Sequence, residues 1–521
     1  MSDSTTEPTD QAPTATTRAA RRAANTSAQA LSTGTAPSKT RGGFKSLPFV
    51  RIFVPPEERI TVEARDVDTT STEVAPWTLP GSQLRDKGRR ARSGFYAPAA
   101  PGAPTTTRQA EILNTALIAP PTGTKGVVVG RDVLSRTATA HDSITAYNSQ
   151  PRLVSSPNVI TMGDVGAGKS SGTKCNDVIR PMLLANRRIV VFDKKDQAGE
   201  GEYSGTARRY GYEPIKFTAD GSGTRLNLMD PDIARGTGTK GQSRLLQTVT
   251  RIARDDQALD EWEKKSIRAA LQATLDRASD GRAPVISDVL PELGRVADAD
   301  LYSSYSLEAK ERLHQAGIAV RLTLEDLLEE YDGLLDGETS SSVNLDGKLT
   351  SFDISQLPDE GPAVPVVMAI GNMWMLGRLR NDRGWATNIV YEEGWHMIGG
   401  PSANLIKSNQ KLSRGLGIAN VFVMHKGTDI PANGPGMAII QEAQTVRIYR
   451  QSRPEDARWC QQTFGLAPET ADTIEHLQDG HFIFKYSDKP ETHVQHLRSQ
   501  WEIEVTNTDE ALAAGSTPGA R

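Results

Sequence analysis

Gly163, Gly166, Gly168, Lys169 and Ser170 stand in the run GDVGAGKS, an order suited to gripping a polyphosphate. Glycine lets a backbone turn tightly and approach a phosphate closely, because no Cβ intervenes. Successive N–H groups of such a loop, at the positive end of the helix that follows, form a nest for an anion. The stretch Gly163, Asp164, Val165, Gly166, Ala167, Gly168, Lys169, Ser170 and Ser171 fits the phosphate-loop pattern GxxxxGK[ST] and is the expected nucleotide contact. In that pattern the lysine, Lys169, reaches the β- and γ-phosphates, and the hydroxyl, Ser170, ligates Mg²⁺.

A second set of candidates lies far downstream. The apolar run Asn388 to Tyr391 ends in Glu392 and Glu393. Nucleotide hydrolysis needs one acid near Mg²⁺ and another to polarise the attacking water. Adjacent residues at a strand end point opposite ways, so Glu392 is assigned to the metal and Glu393 to the water. The plainer reading is a solvated strand terminus. His425 closes the run Ile418 to Met424; it either senses the γ-phosphate or is an ordinary loop histidine. Arg414, Arg447, Arg450 and Arg453 are candidates for a catalytic charge donated across a subunit boundary, with Arg414 first and Arg447 second.

These residues need a scaffold, and the apolar pattern predicts one. Val159, Ile160 and Met162 make a buried strand before the loop, and Val178, Ile179, Met182 and Leu183 recur at helical spacing after it. Pro181 should kink or shorten that helix. Arg188 to Asp193 is a second strand, with a third near Pro214 to Phe217. Strand, helix, strand with continuous apolar strands predicts the α/β class and a parallel sheet covered on both faces. From Ser243 to about Gly337 three apolar faces at helical spacing follow one another, the second ending at Ala278. Sheet pattern then returns: Leu349 to Ile354 alternates, Val364 to Leu379 is helical, and strands are expected at 387–391, 418–424, 445–449 and 481–486. The expected organisation is a disordered tail over 1–43, a small accessory region with linkers over 44–125, a core in two parts at 126–235 and 343–504, an all-helical insertion at 236–342, and a flexible tail over 505–521.

Composition bounds the classes. A net charge of −4 over 521 residues gives no global pull toward nucleic acid. Basic runs at Arg18, Arg21 and Arg22 and at Arg85 to Arg92 could meet acidic lipid or nucleic acid, or serve as solvated linker. Two cysteines, Cys175 and Cys460, imply neither a disulfide framework nor a metal cluster. No apolar run is long enough to span a bilayer, and the first residues are too polar for a secretory signal. The expected location is cytoplasmic, with any peripheral contact at the inner face of the membrane made through a partner.

The order PNVITMGDVGAGKSS, IVVFDKKDQAGEGEY, RLNLMD, a helical block, IVYEEGWHM and SRGLGIANVFVMHKGTDI resembles the VirB-type ATPases of conjugative type IV secretion. These sit within the HerA and FtsK group of hexameric motors, and the likeness is greatest to VirB-like ATP-binding proteins of actinobacterial mobile elements. It covers about Gly126 to Tyr486. The resemblance implies a RecA-like P-loop NTPase core, ATP and Mg²⁺ as ligands, a hexameric ring, partners in a membrane secretion or conjugation complex, and DNA as an open partner. It sets Walker A on Lys169 and Ser170, and Walker B on Glu392, Glu393, Gly394 and Trp395. It also sets an acidic segment on Asp193 through Glu202 and Tyr203, and an Asn-x-x-Asp turn on Asn227 to Asp230. Two positions depart from the family: Glu392 replaces an aspartate, and His425 stands where such motors usually carry glutamine. The competing expectations are a DNA translocase of the FtsK or coupling-protein kind and a nucleotide-binding scaffold that does not hydrolyse.

Overall fold

The computed structural model describes residues 123 and 125–506, apart from 279–281, 296–301 and 383. The expected N-terminal tail, both basic runs, nearly all of the accessory region and most of the C-terminal tail lie outside the described residues.

The strands are β1 (Val127–Asp132), β2 (Ala138–His141), β3 (Val159–Met162), β4 (Arg187–Asp193), β5 (Asp196–Gln197), β6 (Glu200–Gly201), β7 (Ile215–Lys216), β8 (Leu349–Asp353), β9 (Ala386–Tyr391), β10 (Ile418–Met424), β11 (Thr445–Ile448), β12 (His481–Tyr486) and β13 (Thr492–Gln495). Eleven of them form one sheet in the order β2-β1-β13-β12-β11-β3-β10-β9-β4-β8-β7, while β5 and β6 pair as a hairpin. From β11 to β7 every pairing is parallel; from β11 to β2 every pairing is antiparallel. The central parallel strands β3, β4, β8 and β10 are buried along their whole length. That is the condition that lets a strand read as an unbroken apolar run. It also corrects the alternation expected for Leu349 to Ile354, where Thr350, Ser351 and Asp353 are as buried as their apolar neighbours.

Aromatic side chains mark one row across the strands. Phe422, Tyr391 and Phe192 stack in sequence at 5.2 Å per pair, and Phe192 stacks on Phe352 at 5.1 Å. The register places Phe422 opposite Tyr391 and Tyr391 opposite Phe192, so the row fixes how β10, β9 and β4 align.

After β3 the chain turns into the short helix α1 (Lys169–Thr173), then a wider π turn over Lys174–Ile179 and a 3₁₀ turn over Pro181–Leu183. Pro181 explains the ending, since it has no N–H to give and its ring crowds the carbonyl four residues back. That carbonyl, on Asp177, accepts instead from Asn388 Nδ2 at 3.0 Å.

The helical block between β7 and β8 begins earlier than expected. Helix α2 (Pro231–Ile252) opens with Pro231 in its first turn and Asp230 as its cap, the carboxylate accepting from Asp232 N–H at 2.8 Å. The glycine run 236–241 lies inside α2 and breaks it only at Gly238, whose φ is 71°. Helices α3 (Glu261–Arg277) and α4 (Leu307–Leu335) follow, and Ala278 falls just past α3 and is exposed. Helix α5 (Ala363–Asn381) packs on α2, where Gly236 and Gly377 meet so closely that a Cβ on Gly236 would lie 2.8 Å from Gly377 Cα. Residues of this block, such as Leu245, Val249, Ile267 and Leu324, share one apolar core with Ile160, Phe192 and Ile389 of the sheet. Sheet and helical block are therefore stabilised by the same buried surface.

Candidate nucleotide site

The glycine loop leaves the end of β3 and reaches α1 in six residues, 163–168. Two of its glycines are dictated by geometry. A Cβ on Gly163 would stand 2.5 Å from the Cβ of Tyr449, and Gly168 enters α1 with a φ of 98°. The loop is tied to the chain that follows β11: Asp164 N–H donates to the Arg450 carbonyl at 2.8 Å, and the Asp164 carboxylate accepts from Ser452 N–H at 2.7 Å. Val165 and Gly166 lie exposed at its tip, Ala167 is buried, Ser170 is half-buried, and Ser171 Oγ donates to the Gly168 carbonyl at 3.0 Å.

Lys169 is buried, and its ammonium has three partners. It donates to the carbonyls of Gly163 at 2.5 Å and Asp164 at 2.8 Å, and lies 3.2 Å from His425 Nδ1. Burial lowers its pKa to about 8, against the opposing pull of the Glu392 and Glu393 carboxylates. On the far side of the same imidazole, His425 Nε2 lies 3.1 Å from Glu393 Oε1. An ammonium can only donate, so Nδ1 accepts and Nε2 carries the proton given to Glu393. A glutamine amide also offers one acceptor and one donor, which is a physical reason for histidine to stand where the resembled motors carry glutamine.

Strand order makes this contact. β10 lies between β3 and β9, so the residue ending β10 falls between the lysine after β3 and the carboxylate after β9. Glu393 adopts a left-handed φ of 52°, a conformation costing on the order of 1 kcal/mol for a non-glycine residue. It is held by Gly394 N–H donating to the Val423 carbonyl at 2.7 Å and by Trp395 Nε1–H donating to Glu393 Oε2 at 3.0 Å. Burial raises the Glu393 pKa, but the bonds from His425 and Trp395 outweigh it and leave the group below the usual carboxylate range.

Glu392 points the other way and is buried. Tyr203 Oη–H donates to its Oε1 at 2.5 Å. Burial first, then the negative charges of Glu202 and Glu393, push its pKa up. Ser170 and Glu392 supply one hydroxyl and one carboxylate, and among the described residues no cluster of three or more His, Cys, Asp or Glu could hold a metal ion by itself. Such a sparse donor set fits Mg²⁺, which keeps its waters and takes most other ligands from nucleotide phosphates.

The arginines divide. Arg447, expected as a second choice for a charge donated to a neighbour, is buried and ion-paired with Asp177 inside its own chain. Its guanidinium serves the interior, and that expectation is corrected. Arg450 lies on Asp479 at 2.6 Å, beside its own loop. Arg453 is exposed at the start of the helix Pro454–Phe464. Arg414 is half-buried in the last turn of helix α6 (Ser402–Gly415), ahead of β10. The whole of β10, about 23 Å at 3.3 Å per residue, separates it from His425.

Sequence reasoning misses several residues that brace the site. Gln451 is fully buried, and its Nε2 donates to the His425 carbonyl at 2.8 Å. Asn388 reads from sequence only as part of a strand, and Asp177 lacks any pattern to mark it. Tyr203 enters through resemblance alone.

A seven-strand parallel half-sheet, a glycine loop entering a helix, and a buried lysine beside strand-end carboxylates give an α/β protein with the fold of P-loop NTPases. Among solved structures, the chain is similar to VirB4 of Thermoanaerobacter pseudethanolicus, with a TM-score of 0.60 and 16% identity over 74% of this chain and 100% of that one. It also matches the plasmid coupling protein TrwB in complex with ADP and Mg²⁺, at a TM-score of 0.49 and 14% identity over 77% of this chain and 97% of that one. No protein-family model matches the sequence, and no curated protein matches it. The likeness to VirB4 is one of fold.

Proposed function

We propose that this protein binds ATP with Mg²⁺ and hydrolyses it as a motor for conjugative DNA transfer or type IV secretion. The observation that carries the reading is the series Lys169–His425–Glu393, three side chains from three separate segments bonded in line beside a glycine loop. Lys169 is held by loop carbonyls that a phosphate would replace. Glu393, kept ionised by its donors, is suited to polarise a water and take its proton, and His425 keeps it at a fixed distance from the lysine. Ser170 and Glu392 are the residues that would hold Mg²⁺, which when bound would supply positive charge to the phosphates. The fold shared with VirB4 supports the assignment to secretion or conjugation, as does the motif order from Gly163 to His425.

Phosphoryl transfer gains orders of magnitude in rate from an added arginine, and we assign that charge to Arg414 of a neighbouring subunit in a hexameric ring. Its place at the opposite edge of the sheet means that one subunit would present that edge to the next. The expected partners are further copies of the chain, components of a membrane secretion or conjugation complex, and DNA.

The test is phosphate release by the full-length chain against a Lys169→Ala control, with and without DNA. Turnover above the control supports the hydrolase reading, and turnover at the control level supports the scaffold. Mixing Arg414→Ala with Lys169→Ala subunits, each inactive alone, should partly restore turnover. Strong stimulation by double-stranded DNA alone would favour the translocase reading.

A further inference from the structure

Residues 201–204 form a buried strap between the helix after the glycine loop and the carboxylates that end three adjacent strands. Gly201 N–H donates to Asp353 Oδ2 at the end of β8, at 2.9 Å. Glu202 turns to the phosphate-loop side: its carboxylate lies 3.2 Å from Lys174 Nζ, and its carbonyl accepts from the same nitrogen at 2.9 Å. Tyr203 N–H donates to Asp193 Oδ2 at the end of β4, at 2.6 Å. Ser204 Oγ–H donates to Asp353 Oδ2 at 3.3 Å. With its backbone fixed on β4, the fully buried Tyr203 reaches across to β9 and donates its hydroxyl proton to Glu392 Oε1 at 2.5 Å. Lys174 Nζ stands over the same ring, 5.1 Å from its centre.

We infer that Tyr203 is a positioning residue that holds the Glu392 carboxylate in place for the divalent metal. Glutamate has one more rotatable bond than the aspartate it replaces, so its carboxylate wanders unless something fixes it. A hydrogen bond to an ionised acceptor is short, directional and roughly twice as strong as a neutral one. Fixing one oxygen leaves the other for the metal, and the phenol offsets part of the cost of holding the group ionised away from water. Outer-shell partners of this kind typically govern metal affinity by about 10- to 100-fold. The strap also joins Glu392 to Lys174, five residues beyond Lys169, so the metal side and the phosphate side share one brace. A Cβ on Gly201 would lie 2.2 Å from Asp193 Oδ2, so Gly201→Ala must shift either the strap or the carboxylate that anchors it, without touching the phenol.

This inference rests on the nucleotide reading above, and the two fail separately. Mn²⁺, a paramagnetic stand-in for Mg²⁺, is titrated into the full-length chain with ADP and followed by electron paramagnetic resonance. ADP affinity without metal is measured alongside. Tyr203→Phe keeps the ring and loses one hydroxyl; it should weaken Mn²⁺ binding by about 10-fold or more while metal-free ADP affinity stays within about twofold. Gly201→Ala should follow it in the same direction. If Tyr203→Phe binds Mn²⁺ as the wild type does, or loses both affinities together, the positioning role is overturned while the nucleotide reading stands. A wild-type chain that binds neither ADP nor Mn²⁺ overturns both.

Discussion

The two edges of the parallel sheet both carry charge, and they use it differently. At the edge where the strands begin, Arg188, Arg235 and Arg378 line a cavity of about 400 Å³ together with Asp232, Asp346 and Asp382. There the charges close on one another: Arg188 on Asp382, and Arg235 and Arg378 on Asp232. At the edge where the strands end, Lys169, His425 and Glu393 are bonded in series, and the lysine gives its remaining bonds to loop carbonyls. A paired charge offers less to a ligand, although Arg188 keeps its Nε and Nη1 without a hydrogen-bond partner. A series anchored on carbonyls that a phosphate can displace leaves a cation available, and it is found where the glycines open the backbone.

The sharpest way to break this contrast is to remove one cation from each edge. Lys169→Ala should lower turnover by on the order of 10³-fold, as loss of a charge at the reacting group does. Arg378→Ala, at the other edge, should leave turnover within about twofold and cost no more than about 1 kcal/mol of stability, since its pairing is partly exposed. Comparable losses of turnover in the two variants, measured by phosphate release, would erase the distinction.

A second variant separates structural from chemical charge at the ligand edge itself. Arg447 and Asp177 are a buried pair close behind the loop helix. Removing one partner of such a pair strands the other, which costs about 3–5 kcal/mol. Arg447→Ala should therefore lower the melting temperature by many degrees, and mixing it with Lys169→Ala subunits should not restore turnover. Rescue on mixing would return Arg447 to the candidates for a donated charge.

The lysine also predicts a pH dependence. A phosphate favours the charged ammonium, and the free protein holds that proton only below about pH 8. Affinity for metal-free nucleotide should thus fall by up to about tenfold per pH unit above that value. Lys169→Arg, which keeps its charge, should flatten the profile even if it binds less well. A smaller effect is expected at the centre of the series. His425→Gln keeps an acceptor and a donor in the same place, so it should stay within about threefold of wild-type turnover, measured by phosphate release. A loss comparable to that of Lys169→Ala would show that the imidazole does more than bridge Lys169 and Glu393.

Much of this arrangement is legible in the amino-acid sequence. β3, β9 and β10 are mostly apolar runs that end in a glycine, a glutamate pair and a histidine, because buried parallel strands need no solvent-facing polar side and their ends are where chemistry can begin. What a strand run does not encode is its neighbours. Only the sheet order puts β10 between β3 and β9 and brings His425 onto both Lys169 and Glu393. Arg447 reads as available because an arginine in a short strand near the sequence end has no pattern to announce its partner; Asp177, 270 residues earlier, supplies it. The early start of α2 is hidden by glycines, since Gly236 reads as a break until Gly377 is seen packed against it. Tyr203 lies in a segment without periodicity, and its value lies wholly in contacts made by folding.

The central claim is that Glu393 polarises the water while Lys169 and the loop bind the nucleotide. The most direct measurement is of ATP binding and phosphate release on the same preparation of Glu393→Gln. The amide keeps the shape but cannot take a proton, and its single oxygen can accept from only one of the two donors, His425 and Trp395. The expected result is nucleotide affinity within about threefold of wild type and turnover reduced by about 10²- to 10⁴-fold. Glu393→Gln turnover equal to that of the wild type, with Lys169→Ala as the inactive baseline, would contradict it.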